Sequence, residues 1–307
     1  MNIAVLGAGA MGSLFAGNLS RCHDVLLVDR FPEVAAAVAK NGVTLVEQDG
    51  TSAVHRPRAA AIGETFEPVE LVLVFVKAMG TVDTLTRCRS LIGKDTLVLT
   101  LQNGGGHEDI LSQFVPMEHV LIGTTQHNAS IREDGTIFHG GSGVTVIGSP
   151  LGHSEEAVRV AQAFTQAGLM TEATDNVRRI VWQKLMTNVS LSALTGVFQM
   201  PMGFVTQSAS CWALCEKLVA EAVEVARADG VEFDLEEKLA EVRAVSEGGP
   251  QGITSICADL MHGRMTEVDT ISGSVVRAAR RLNMNAPCHE MMVLLIHAME
   301  DKNAQTK

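Results

Sequence analysis

The sequence predicts an α/β protein with a mainly parallel sheet in its N-terminal part and an all-helical domain behind it. Three observations predict it. Short apolar runs alternate with helical stretches as far as residue 173. A glycine-rich turn joins the first apolar run to the first helix. From residue 174 onward helical periodicity dominates and strand candidates nearly vanish, which sets domains of 1–173 and 174–307.

Taken in order, Asn2–Leu6 predicts a strand, Met11–Leu19 a helix, Asp24–Val28 a strand and Pro32–Asn41 a helix. Leu71–Val76 and Thr96–Leu101 predict strands on either side of a Thr81–Leu91 helix. Strands apolar on both faces belong to a parallel sheet covered by helices. Val120–Thr125, Gly135–His139 and Val144–Gly148 predict further strands, and Glu133-Asp134-Gly135 a hairpin that makes part of the sheet antiparallel. Ser154–Ala167 reads as a helix and Leu169–Ala173 as a last strand. Val177–Val197 then reads as one long helix capped by Asp175 or Asn176. Helices at Ser210–Asp229 and Leu235–Ser246 precede a break at Gly248-Gly249-Pro250. Ile253–His262, Glu267–Leu282 (with Thr266 as N-cap) and Cys288–Lys302 complete the helical half.

Composition narrows the function. A chain of 307 residues, 46% hydrophobic, has ample core and is not disordered. Its net charge of −11 argues against nucleic acid and against an anionic membrane surface, though not against a small acidic substrate. No run approaches the roughly 20 apolar residues of a membrane span. No basic segment precedes Ile3–Leu6, and six scattered cysteines do not make a disulfide scaffold, so a reduced, cytoplasmic protein is expected. Cys211 and Cys215 share a helical face without further ligands nearby, which predicts buried thiols and no metal. His127 and His139 either edge the cleft or are surface or satisfied polar residues.

Gly7-Ala8-Gly9-Ala10-Met11-Gly12 follows a strand and opens a helix. Gly7 permits the turn, Gly9 lets backbone approach a pyrophosphate, and Gly12 packs helix on strand, while the helix N-terminus offers N–H groups to phosphate. The turn is therefore expected to hold a dinucleotide, NADPH or NADH, the alternative being a structural glycine-rich turn. Asp29, at the end of the second strand, accepts hydrogen bonds from ribose hydroxyls and favours NADH. Arg30 beside it can pair with a 2′-phosphate, which leaves NADPH open. Lys77 and Asn103 follow two other strands of the same sheet, where open α/β sheets bind ligands, although each alone reads equally as a solvated loop residue.

In the helical half, Lys184, Asn188 and Ser192 recur every four residues on one helical face, either snorkelling to solvent or lining a cleft. Ser255, Asp259, Glu267 and Asp269 surround Arg264, and taken alone Glu267 is a first-turn carboxylate that complements a helix dipole.

Together these segments resemble the ketopantoate reductases (2-dehydropantoate 2-reductases) over nearly the whole chain. The resemblance rests on Gly7–Gly12, Val76-Lys77, Leu101-Gln102-Asn103-Gly104, Trp182-Gln183-Lys184-Leu185 with Asn188, and Ser255 ahead of Thr266-Glu267-Val268-Asp269. It implies an N-terminal Rossmann-type domain and a C-terminal helical domain with the active site between them. It also implies NADPH-linked reduction of a small 2-oxo acid, first of all 2-dehydropantoate to pantoate; Asp29 departs from the NADPH pattern. By motif, Lys184 resembles the catalytic lysine and Glu267 its carboxylate partner. Lys77 and Asn103 resemble residues near cofactor and substrate, and Asn188 and Ser255 substrate-binding residues. Ser192, Met202 and Gly252 depart from the pattern, standing where the family usually has asparagines that hold a hydroxylated substrate. An NADH-dependent D-2-hydroxyacid dehydrogenase for branched or aromatic 2-oxo acids therefore stays open. So does a non-catalytic NAD(P)-sensing regulator, which would need the glycine turn but not Lys184 and Glu267. The apolar C-terminal helices leave room for a homodimer.

Overall fold

A computed structural model describes residues 1–305. The chain forms two compact units. The first comprises residues 1–102 and 107–180, the second residues 103–106 and 181–307. The division therefore falls seven residues beyond the 173/174 boundary expected from sequence texture, and it assigns a tetrapeptide from the N-terminal half to the helical unit.

The first unit runs β1 (Asn2–Leu6), α1 (Ala10–Leu19), β2 (Asp24–Asp29), α2 (Pro32–Asn41), β3 (Val43–Val46), β4 (Ser52–His55) and β5 (Arg58–Ala61). It continues through β6 (Leu71–Val74), α3 (Thr81–Arg87), β7 (Leu97–Thr100), α4 (His107–Leu111) and β8 (Val120–Thr125). It ends with β9 (Asn128–Ile131), β10 (Ile137–Gly141), β11 (Thr145–Gly148), α5 (Glu155–Gln166) and β12 (Thr171–Ala173). Eight strands form the main sheet in the order β12-β11-β8-β7-β6-β1-β2-β5. It is parallel from β5 to β8, and β11 then runs antiparallel to β8. All four residues of β6 and of β7 are buried, in keeping with their near-continuous apolar runs, and the one polar member, Thr100, donates its hydroxyl to Gln102 at 2.8 Å.

The predicted hairpin forms, with β9 antiparallel to β10, but it belongs to a separate four-stranded sheet, β4-β3-β10-β9, rather than to the main one. Its partners β3 and β4, and the edge strand β5, were not foreseen. They are four residues each, interrupted by Thr44 or built largely from Ser52, His55, Arg58 and small alanines, so no long run of large apolar side chains marks them. His127 and His139 are both buried here, not on the surface. His127 Nδ1 lies 2.9 Å from His139 Nε2, whose ring meets the Glu47 carboxylate at 2.7 Å.

The second unit contains α6 (Val177–Thr187), which begins in the first unit, α7 (Ala193–Phe198), α8 (Gly203–Gln207), α9 (Ala209–Ala228) and α10 (Leu235–Gly248). It closes with α11 (Ser255–Met261), α12 (Ser272–Arg281) and α13 (Pro287–Gln305). Asn176 caps α6, its Oδ1 accepting the Arg179 N–H. The expected single helix to Val197 is continuous but widens into a π turn over Asn188–Ser192. Within this turn the Ser190 hydroxyl donates to the Met186 carbonyl at 2.9 Å. The helix expected at Glu267–Leu282 starts only at Ser272, and Thr266 is not its cap. The Glu267 carbonyl accepts the N–H groups of both Thr270 and Ile271, which closes residues 267–271 into tight turns. Cys211 and Cys215 are buried within the core of this unit, and burial pushes their thiols up to about 11 and about 12.

Candidate active site

In the first unit the glycine turn lies between β1 and α1. Gly7 has φ +105°, a conformation glycine tolerates without strain. A Cβ on Gly12 would overlap the Gly7 carbonyl oxygen, so only glycine lets α1 approach the turn this closely. Helix α1 begins after Gly9 with no side-chain cap and no acidic residue in its first turn, and no atom lies within 4 Å of the position a Gly9 side chain would take. Uncapped N–H groups, a positive dipole end and open space suit a diphosphate. Asp29 ends β2 and faces this turn: its Oδ2 accepts the Ala8 N–H at 2.7 Å and its Oδ1 the Phe31 N–H at 3.0 Å. The Arg30 guanidinium stacks 4.5 Å over the Phe31 ring. Lys77 is exposed just beyond β6.

In the helical unit, folding gathers segments that are far apart in sequence. The tetrapeptide Asn103–Gly106 follows β7, yet the Gly105 N–H donates to the Thr270 carbonyl at 2.9 Å. Gly104, at φ +103°, lies so close to Thr270 that a Cβ would overlap its carbonyl. A side chain begun at Gly105 would reach the Leu185 Cδ2 methyl at 3.9 Å. Asn103 is thus brought beside the turn carrying Glu267 and the helix carrying Lys184.

Lys184 is half-buried on α6. Burial pushes its ammonium below the usual lysine range, and the Glu267 carboxylate pulls the other way. The helix is anchored two residues earlier, where Trp182 Nε1 donates to Asp229 at 3.0 Å; the same carboxylate accepts from Arg281 at 2.6 Å. Asn188 is half-buried at the start of the π turn and Ser192 is buried at its end. Helix α11 packs on α7, with Thr254 capping α11 and meeting Thr195 at 2.7 Å, and this places Ser255, which is exposed, in the first turn. Arg264 holds Asp259 at 2.9 Å. Asp229, Thr270 and Arg277 all support these segments without belonging to any recognisable motif. Among the described residues no group of three or more His, Cys, Asp or Glu is placed to hold a metal ion, and no helix is long and apolar enough to cross a membrane.

Comparison with known proteins identifies the family. Residues 3–152 match the family model for ketopantoate reductase PanE/ApbA, and residues 176–300 match its C-terminal counterpart. A 2-dehydropantoate 2-reductase of Halobacterium salinarum is 34% identical over 306 residues, covering 98% of this chain and 97% of that protein. The solved ternary structure of D-mandelate dehydrogenase with NADH and anilino(oxo)acetate is 30% identical with a TM-score of 0.90, covering 99% and 100% of the two chains. A PanE/ApbA family ketopantoate reductase from Ralstonia eutropha JMP134 is 28% identical with a TM-score of 0.89 over 99% and 100%. The chain belongs to the ketopantoate reductase family.

Proposed function

We propose that this protein reduces a 2-oxo acid to a 2-hydroxy acid with NADH or NADPH, with 2-dehydropantoate the first expected substrate and pantoate its product. The observation that carries the reading is Lys184, an ammonium that burial pushes down and the Glu267 carboxylate pulls up, in a chain that also holds an uncapped glycine turn fit for a dinucleotide. The nicotinamide, when bound, supplies a hydride to the 2-oxo carbon. Lys184 polarises the carbonyl oxygen, stabilises the charge that develops there and gives that oxygen its proton. Its lowered pKa eases the transfer, while Glu267 keeps the group charged and oriented beforehand. Asn103, Asn188 and Ser255 offer neutral hydrogen bonds to the acid, and Ser192 a hydroxyl. Ala8, Ala10 and Met11 contribute backbone of the turn, with Lys77 a cation for ribose or phosphate.

A second reading, an NADH-dependent D-2-hydroxyacid dehydrogenase for branched or aromatic acids, is favoured by one observation. The Met202 Cε methyl occupies the space a side chain on residue 252 would need, only 2.5 Å from that Cβ position, and Phe198 and Met200 nearby in sequence are exposed. An apolar wall suits an apolar 2-substituent better than a hydroxylated one. A panel of 2-oxo acids assayed separately with NADH and NADPH decides. The carboxylate of Asp29, set against the turn, predicts the higher kcat/KM with NADH; a preference for NADPH overturns that use of Asp29, and no coenzyme oxidation with any acid overturns the enzyme reading in favour of a nucleotide sensor.

The unpaired cysteines support a reducing, cytoplasmic setting. The exposed stripe of Met291, Leu294 and Leu295 on α13, with Leu294 70% exposed, supports a homodimer in which the stripe meets its own copy across a two-fold axis. Light scattering should report a dimer for the wild type and a monomer for Leu294→Asp.

A further inference from the structure

Residues 266–271 form no regular helix, so the turn carrying Glu267 depends on outside support. Glu300 of α13, its side chain 3% exposed, provides it: Oε1 accepts the Thr266 N–H at 2.7 Å. The second oxygen of Glu300 lies 2.7 Å from His297 Nδ1, and the other nitrogen of that ring lies 3.1 Å from Asp269 Oδ1. Ionised carboxylates only accept, and a neutral imidazole has one N–H. Both contacts are hydrogen bonds only when the ring carries two protons. Arg277 of α12 extends the tie, donating to the Asp269 carbonyl at 2.6 Å and to the Gly105 carbonyl at 3.2 Å.

We propose that His297 and Glu300 are positioning residues that clamp the Glu267 turn, and that the clamp closes with the imidazolium and slackens when the ring loses a proton. The proposal rests on the reading of Lys184 and Glu267 as the reacting pair.

The surroundings favour the charged ring. Glu300 faces it from α13 itself, and Asp269 comes from the turn. Helix α12 contributes Arg277, α11 contributes Asp259 already engaged by Arg264, and α9 contributes Glu221, bonded to N–H groups at the far end of α13. Helix α7 carries no titratable side chain. Burial opposes the charge on His297, but the bonds from Glu300 and Asp269 outweigh it and raise the pKa above the ordinary histidine value. A raised folded-state pKa gives stability that is full below the unfolded value and lost as pH rises through the folded one. The clamp therefore slackens on the alkaline side.

The test follows three signals against pH: the His297 ring resonances, exchange of the Thr266 amide, and kcat for the best 2-oxo acid. Thr266 exchange should quicken as His297 titrates. Asp269→Asn should move the His297 titration and the matching alkaline step in kcat to lower pH together. His297→Gln should lower kcat by up to about 100-fold, as misplacement of a reacting group does, with coenzyme KM unchanged. A kcat step that stays put while the Asp269→Asn titration moves, or Thr266 exchange indifferent to that titration, overturns the clamp. Full turnover by Lys184→Ala would overturn the reading beneath it instead, and the exchange signal judges the clamp without turnover.

Discussion

Lys184→Ala should lower kcat by about 10²- to 10⁴-fold, the usual contribution of a positioned acid. That corresponds to about 3–5 kcal/mol of lost transition-state stabilisation. Coenzyme affinity, measured by quenching of intrinsic fluorescence, should stay within twofold, because the glycine turn is built from other residues. Arginine should not rescue the variant, since a guanidinium holds charge but does not release a proton at working pH. Glu267→Gln should act differently. Glu267 raises the Lys184 pKa against a burial that lowers it. Without the carboxylate the ammonium deprotonates at lower pH, so the alkaline fall in kcat should begin earlier. A fall that does not move would separate Glu267 from Lys184.

Gly12→Ala carries the second large effect. Its Cβ would meet the Gly7 carbonyl, and backbone cannot swing aside as a flexible side chain can. Helix α1 must lift from β1, at a cost of about 1–3 kcal/mol of stability, seen as a lower urea midpoint. Coenzyme binding should weaken by about tenfold or more, since about 1.4 kcal/mol is tenfold in affinity. Gly9→Ala is the informative contrast. Nothing lies within 4 Å of its Cβ position, so the fold should keep its midpoint while binding drops. Equal destabilisation by both variants would contradict the close approach assigned to Gly12.

The main sheet was legible because its central strands are near-continuous apolar runs, as Leu71–Val74 and Leu97–Thr100 are. The second sheet was not, because β3, β4 and β9 are short and partly exposed. Helix limits departed from the periodicity at two places: the ladder widens into a π turn over Asn188–Ser192, and residues 267–271 close into turns so that α12 starts at Ser272. Residues with a motif around them, such as Gly12, Asp29 and Lys184, stood out. Asp229, Glu300 and His297 did not. Apart from the His297–Glu300 contact within α13, their partners lie 28 to 52 residues away, a separation that no periodicity encodes.

The tetrapeptide Asn103–Gly106 has one more implication. Because it belongs with the helices, the polypeptide passes from one unit to the other three times rather than once, after Gln102, Gly106 and Ile180. A fragment starting at residue 174 would lack the amide that engages Thr270 and the carbonyl that engages Arg277. The halves are therefore not exchangeable cassettes: a chimera that imports the helices of a relative must import this distant loop with them, or the turn bearing Glu267 loses its footing.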